Sequence, residues 1–133
     1  MRPAAALVAI AAMTLVGGCG GGAGDLLSIE ASGGVAGGRH TVVVSGDGRG
    51  SCDRGALKQL PADRVIDARG IERDAGDLAR GAADYPSPTA DARHFILKTK
   101  DGEVTWSEGA PSLPSVLPKT QLLAVQLQRI LCG

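Results

Sequence analysis

Apolar and β-branched residues are concentrated in four short stretches that we expect to form strands. The first two, residues 26–30 and 40–45, are separated by a glycine-rich break. The other two, residues 94–99 and 103–106, flank Lys-Asp-Gly, and Asp-Gly is a strong indication of a tight hairpin turn. Side chains predicted to share the buried face of this hairpin are Phe95, Leu97, Val104 and Trp106.

Two other stretches repeat apolar residues every three or four positions, which is the period of an amphipathic helix. The first begins around Pro61, which suits the first helical turn, and Asp63 there complements the helix dipole. The second spans about residues 118–131. The predicted buried rows are Val65, Ala68, Ile71, Ala75 and Leu78 in the first helix and Leu123, Leu127 and Ile130 in the second. The order β-β-α-β-β-α predicts an α+β fold, with two helices on one face of a four-stranded antiparallel sheet.

Composition and charge exclude some classes of partner. The chain has 133 residues, which suits one folded domain, and it carries 14 Lys and Arg against 14 Asp and Glu. It lacks the concentrated basic patch that nucleic acid or an anionic surface would attract. Tyr85, Phe95 and Trp106 are the only aromatic residues, too few for a nucleic-acid stacking platform.

The N-terminal segment resembles an export signal. Arg2 precedes an apolar run over residues 4–16, which is shorter than the ~20 residues of a membrane-spanning helix but typical of a secretory signal peptide. The run ends in Leu-Val-Gly-Gly followed by Cys19. This ending resembles the lipobox of bacterial lipoproteins. The alternative interpretation is an ordinary signal peptide followed by a chance cysteine.

The lipobox resemblance implies a location for the whole protein. Residues 1–18 would be a leader that is removed, and Cys19 would carry a diacylglycerol as the first residue of the mature chain. Residues 19–25 would form a glycine-rich tether, and residues 26–133 a domain. The protein is then expected to be lipid-anchored to the cell membrane and to face outside the cytoplasm.

With Cys19 lipidated, Cys52 and Cys132 remain as the only cysteine pair. Thiols tend to oxidise outside the cytoplasm, so we expect a structural disulfide. It would close a loop of about 80 residues, for which chain-entropy estimates give ~4 kcal/mol of stabilisation. A metal-binding or catalytic thiol is the alternative, but no second cysteine or histidine lies near either one in sequence.

Motifs that would support catalysis are absent from the sequence. The glycine-rich residues 46–50 lack the lysine and Ser/Thr of a phosphate-binding loop. His40 and His94 each begin a predicted strand without a neighbouring ligand, so we expect surface roles for them rather than metal binding. No serine lies in a nucleophile elbow. We therefore predict that the protein is not an enzyme, that it has no catalytic or metal-binding residue, and that it needs no cofactor.

The most distinctive stretch of the domain is residues 28–44, a strand followed by Ser-Gly-Gly-Val-Ala-Gly-Gly-Arg and a second strand. It resembles the N-terminal hairpin of the emfourin family, which are small inhibitors of thermolysin-like metallopeptidases such as protealysin. The predicted order of elements over residues 26–131 is similar to that family as well. Val35 stands where the family usually has phenylalanine, and Gly38 replaces a typical apolar residue.

This second resemblance implies a protein partner. The domain would bind an extracellular thermolysin-like metallopeptidase and could inhibit it, with no role in binding nucleic acid. The residues implied in partner binding are Ser32, Gly33, Gly34, Val35, Ala36, Gly37 and Arg39. Two alternatives stay open. The glycines could serve only the backbone geometry of a bulge, with Val35 in the core, or the domain could be a non-enzymatic envelope interaction module without inhibitory activity.

Overall fold

A computed structural model describes residues 24–34 and 37–133 of the chain. The predicted leader, the lipidation of Cys19 and most of the tether lie outside the described residues, as do Val35 and Ala36. Asp25, predicted as the last tether residue, already belongs to the first strand. The described core draws on residues from 26 to 132.

The described residues contain seven strands, which join into one sheet. The strands are β1 Asp25–Gly33, β2 Arg39–Ser45, β3 Arg49–Cys52, β4 Lys58–Gln59, β5 Asp84–Tyr85, β6 Arg93–Thr99 and β7 Gly102–Ser107. Their order across the sheet is β4-β3-β2-β1-β6-β7-β5. Every neighbouring pair is antiparallel except β5, which runs parallel to β7. The central strand β1 is therefore paired along both of its edges.

Three helices accompany this sheet in the described part of the chain. They are α1 Ala62–Asp74, α2 Gly76–Arg80 and α3 Val116–Leu131. α1 and α3 pack together and contact β1, α3 also contacts β2 and β3, and α2 contacts β6 and β7. Among the described residues, none of the helices combines the length and the apolar character needed to span a membrane.

The prediction of a four-stranded antiparallel sheet with two helices is wrong. The four predicted strands correspond to β1, β2, β6 and β7, but β3, β4 and β5 widen the sheet at both edges and make it mixed. Residues 49–51 contain a glycine and, by sequence, resemble a turn more than a strand. Gly50 instead lies in β3, where an added Cβ would come within 2.9 Å of Leu131 and 3.1 Å of Leu60. The glycine lets α3 approach the sheet closely.

The first predicted helix is divided near its end. α1 stops at Asp74, Ala75 follows as its C-terminal cap, and Gly76 begins the separate helix α2. An added Cβ on Gly76 would lie 3.1 Å from an oxygen of Asp101, so this position is close to the β6–β7 turn. The division redirects the chain, so that α2 covers β7 while α1 covers β1.

The core lies between the helices and one face of the sheet. The hairpin face predicted from alternation is confirmed, since Phe95, Leu97, Val104 and Trp106 are all buried and Phe95 stacks on Trp106 with ring centroids 5.4 Å apart. The predicted row on α3 is only partly right. Leu123 and Leu127 are buried, but Ile130 is 37% exposed and Leu131 takes the inward position.

Candidate functional site

The two ends of β1 lead to different parts of the chain. At its start, Asp25 pairs with Ser45, and the carbonyl of Gly24 accepts a hydrogen bond of 3.0 Å from the backbone of Gly46. We call this the tether end; the turn at residues 100–102 lies at the same end. At the other end Gly33 leads into residues 34–38, and we call this the loop end. A strand rises about 3.3 Å per residue, so the two ends of β1 are about 26 Å apart.

The glycine loop, residues 32–39, is narrow where it leaves the sheet. The backbone N–H of Gly33 donates to the carbonyl of Gly38 over 3.2 Å, and that of Gly37 donates to the carbonyl of Gly34 over 3.1 Å. All four glycines have φ between 63° and 88°, the left-handed region that favours glycine. This backbone conformation favours glycine at all four positions, and the structure does not describe the two residues between Gly34 and Gly37.

Two arginines flank the glycine loop. Arg39 forms an ion pair of 3.1 Å with Glu30, and its side chain is 71% exposed. Arg93 pairs with Gly33 in the sheet, and its side chain covers Gly34 so closely that an added Cβ there would lie 2.6 Å from Arg93 Cγ. The Arg93 guanidinium lies 5.4 Å from the centroid of the Phe95 ring. The loop thus leaves the sheet between two positive charges.

His94 lies beside the loop and has a local partner. In β6 it pairs with Ser32 of the neighbouring strand β1, and its Nδ1 is 2.8 Å from the hydroxyl of Ser107 on β7. No group of metal-ligand side chains found among the described residues includes it.

His40 is exposed, and the pairing of β2 with β3 brings it close to Asp53. Its Nδ1 lies 2.8 Å from Oδ2 of Asp53, whose other carboxylate oxygen accepts the backbone N–H of Thr41 at 2.8 Å. The hydrogen bond from Thr41, and then that from His40, hold the pKa of Asp53 below its usual value. No local pattern predicts this contact, because His40 and Asp53 are 13 positions apart along the chain.

The disulfide predicted between Cys52 and Cys132 is confirmed. The two Cα atoms are 5.3 Å apart, and the bond joins the last residue of β3 to the residue that follows α3. Because Cys52 pairs with Val42 near the start of β2, the disulfide lies at the loop end of the sheet. It therefore fixes the end of α3 to the side of the sheet from which the glycine loop extends.

A second candidate surface is a groove of about 430 Å³ between α1 and α3. Ile66 and Leu122 line it and are 68% and 59% exposed, and the cationic side chains of Arg69 and Lys119 also reach it. The sequence predicted a solvated charged face for this side of α1. Ile66 and Leu122 are apolar residues outside the predicted buried rows, and their presence on the outer faces of the two helices is the feature of the sequence that could have indicated the groove.

Comparisons with protein-family models, curated proteins and solved structures found no significant match to this chain. The resemblances to the lipobox and to the emfourin family therefore stay predictions that rest on the residues quoted above. Function has to be inferred from the loop end, the tether end and the groove.

Proposed function

We propose that this protein is a lipoprotein anchored through Cys19 at the outer side of the cell membrane, which binds and inhibits a thermolysin-like metallopeptidase through its glycine loop. One observation carries the proposal. β1 begins at the residue after Gly24, where the predicted tether ends, and finishes at the glycine loop. A domain held by Cys19 would present the loop on the side away from the membrane, about 26 Å beyond the start of the fold.

The base of the glycine loop supports a binding role because it is held rigidly. Ser32 pairs with Arg39 on one side and His94 on the other, so β1 is hydrogen-bonded along both edges up to the loop. A preorganised loop loses little conformational entropy when it binds, which leaves more of the contact energy for affinity. Glycines at the edges of the loop would also let its backbone approach a partner closely.

Inhibition would follow from the backbone of such a loop entering the peptidase cleft. A carbonyl oxygen of the loop could approach the catalytic zinc of the peptidase, where a substrate carbonyl is normally polarised. The Gly33–Gly38 and Gly37–Gly34 hydrogen bonds would keep the chain folded back on itself. This restraint opposes the extended conformation that cleavage of a substrate requires, and it would slow turnover of the bound loop.

The test is a titration of a thermolysin-like peptidase with the oxidised mature chain, which begins at residue 19 and carries Cys19→Ser. We expect saturable inhibition. The double variant Val35→Asp/Ala36→Asp should weaken inhibition at least tenfold, because two charges would have to be desolvated in the interface. The matched control is Ile66→Asp/Leu122→Asp, which introduces the same charges in the groove and should inhibit as the parent does. Circular dichroism would verify the folding of both variants.

The outcomes of this titration separate the alternatives. Equal inhibition by the parent and the loop variant would refute the assignment of the glycine loop. No inhibition at any concentration would refute the inhibitor function as a whole. Anchoring is tested separately in cells, where Cys19→Ser should release the chain from the membrane fraction or leave an uncut precursor. Unaltered lipid labelling of that variant would refute the anchor.

The groove favours a second function, a non-enzymatic envelope protein that binds another protein without inhibiting a peptidase. Its exposed Ile66 and Leu122 lie beside Arg69 and Lys119. This combination fits a protein segment with apolar side chains flanked by carboxylates. Under this function the two double variants exchange roles. Ile66→Asp/Leu122→Asp would abolish capture of the partner, and Val35→Asp/Ala36→Asp would leave it unchanged.

A further inference from the structure

Three side chains with metal-ligand atoms converge beside the glycine loop. A ring nitrogen of His40 and the sulfurs of Cys52 and Cys132 all lie within 4.8 Å of one another. They come from the second residue of β2, the last residue of β3 and the residue after α3. While the disulfide is intact, neither sulfur is a thiolate, and the thiolate is the form of cysteine that binds metals.

We propose that reduction of the Cys52–Cys132 disulfide converts this cluster into a zinc site with His40, Cys52 and Cys132 as its protein ligands. The proposal is independent of the peptidase and of the lipid anchor. Two thiolates and one imidazole form a ligand set that suits zinc, and a water molecule would complete the tetrahedron.

The spacing of the three ligand atoms fits a tetrahedral ion. Bonds of about 2.3 Å to sulfur and about 2.0 Å to nitrogen place tetrahedral ligand atoms roughly 3.5–3.8 Å from one another. One ring nitrogen of His40 and the two sulfurs already lie within 4.8 Å of one another. After reduction the sulfurs must separate, and the imidazole must shift to bring its ligand nitrogen to bonding distance. Cys132 lies beyond the last residue of α3 and is partly exposed, and His40 is exposed, which leaves both side chains room to adjust.

Asp53 orients the histidine for this role. An ionised carboxylate accepts hydrogen bonds and donates none, so the 2.8 Å contact places the imidazole N–H at Nδ1 of His40, which donates to Asp53. The lone pair is then on Nε2, which we assign as the metal ligand. Asp53 is itself fixed by two hydrogen bonds of 2.8 Å with the backbone of Thr41. Zinc-binding histidines commonly donate their second ring N–H to a carboxylate in this way.

The chemical balance requires an external dithiol as the reductant. It transfers two electrons and two protons to the disulfide, which becomes two thiols, while the dithiol becomes a disulfide. Zn²⁺ then displaces the two thiol protons into solvent. Two thiolates and one neutral imidazole give the bound ion a site of zero net charge. Exchange with the oxidised form of that dithiol reverses the process: it takes back the two electrons, the Cys52–Cys132 bond forms again, and Zn²⁺ is released because sulfurs bonded to each other cannot ligate the metal as thiolates.

Co²⁺ provides the test, because cobalt bound by thiolates in a tetrahedral site has a strong charge-transfer absorption. The mature chain with Cys19→Ser is used, so that no third thiol is present. We expect no such absorption from the oxidised chain, and one equivalent of bound Co²⁺, displaceable by Zn²⁺, after reduction. His40→Ala should weaken binding at least about 100-fold and Asp53→Asn by about 10-fold to 100-fold. His94→Ala is the matched control and should bind as the parent does.

Circular dichroism of the same samples covers the case in which reduction unfolds the chain. Zn²⁺ should then restore the fold of the reduced parent and the His94→Ala variant but not that of His40→Ala, because binding and folding are coupled. Two results would overturn the proposal. One is a reduced chain that binds no Co²⁺ and gains no structure with Zn²⁺. The other is equal metal affinity for the parent and His40→Ala.

Discussion

The tether end and the loop end of the sheet both contain glycines with positive φ, but for different physical reasons. At the tether end, Gly102 has φ 139°, and an added Cβ would lie 2.4 Å from the carbonyl oxygen of Ala79 in α2. At the loop end, Gly37 and Gly38 have φ 63° and 88°, yet no described atom would lie within 4 Å of an added Cβ. The first glycine is required by packing, whereas the other two are required only by backbone conformation.

This difference indicates which end of the sheet can accept a side chain in place of glycine. A side chain at Gly102 would collide with backbone that cannot move away, so the tether end is closed by its own packing. A side chain at Gly37 or Gly38 would meet only the conformational preference against positive φ. The loop end therefore has open space around the backbone of Gly37 and Gly38, whereas Arg93 covers Gly34, and such open space is the property that a partner-binding surface needs.

The largest effect is expected at the loop end, from loss of its cross-link. Replacing both Cys52 and Cys132 by alanine should lower the free energy of unfolding by about 4 kcal/mol, because the unfolded chain regains the entropy of an 80-residue loop. Urea unfolding under oxidising conditions measures the loss. Cys19→Ser serves as the control and should not change the midpoint. A loss below about 1 kcal/mol would contradict the chain-entropy explanation.

The second-largest loss of stability is expected at the tether end. Gly102→Ala should destabilise the fold by about 3 kcal/mol, because the new Cβ overlaps backbone of α2 and the residue keeps an unfavourable φ. Gly109→Ala is the matched control, since Gly109 has φ 77° and no described atom within 4 Å of an added Cβ. Urea midpoints compare the two variants. Equal losses of stability in Gly102→Ala and Gly109→Ala would show that the contact of the new Cβ with Ala79 does not destabilise the fold.

Smaller losses are expected in the glycine loop. Gly37→Ala and Gly38→Ala should each cost about 1 kcal/mol, which is the conformational penalty alone. Both should therefore resemble Gly109→Ala and stay well below Gly102→Ala in the same urea series. A loss at either position as large as that of Gly102→Ala would reveal tight packing at the loop end and remove the contrast between the two ends.

The smallest effect concerns acid stability. At the tether end, a hydrogen bond from the Ser45 hydroxyl, then contacts with Arg49, lower the pKa of Asp47 from 3.8 to about 2. A lowered folded-state pKa stabilises the fold above pH 3.8, and this contribution disappears as the pH falls to about 2. Asp47→Asn should therefore flatten the pH dependence of the unfolding midpoint between about 4 and 2. An unchanged slope would contradict the assignment. Asp53→Asn, which replaces a carboxylate at the loop end whose pKa is also lowered, should flatten the pH dependence of the unfolding midpoint in the same direction.

The long strands and their buried face were predictable because the pattern that specifies them is local. Phe95 and Leu97 are two positions apart, as are Val104 and Trp106, so each pair shares one face of its strand, and Asp101-Gly102 sets the turn between the strands. The extra strands were not predictable from alternation. β3 contains Gly50, and a glycine there is typical of a turn; its role becomes clear only from the close packing of α3 against it. β4 and β5 are each two residues long, too short to show a pattern.

The candidate sites depend on pairing between distant parts of the chain. The cluster of His40, Cys52 and Cys132 exists because β2 pairs with β3 and because α3 ends beside β3, and no local pattern encodes either fact. The cysteine pair could still be predicted by elimination, whereas His40 could not be added to it. The groove likewise requires α1 and α3 to lie side by side, which brings Ile66 and Leu122 together.

The extended backbone of β1 also has a mechanical consequence in the proposed orientation. A partner that pulls on the glycine loop and an anchor that holds the tether would load β1 from its two ends. The covalent backbone would carry that tension directly, because β1 is already extended from Asp25 to Gly33. The helices and the core would then carry little of the force, so a bound partner could pull on the anchor without unfolding the domain.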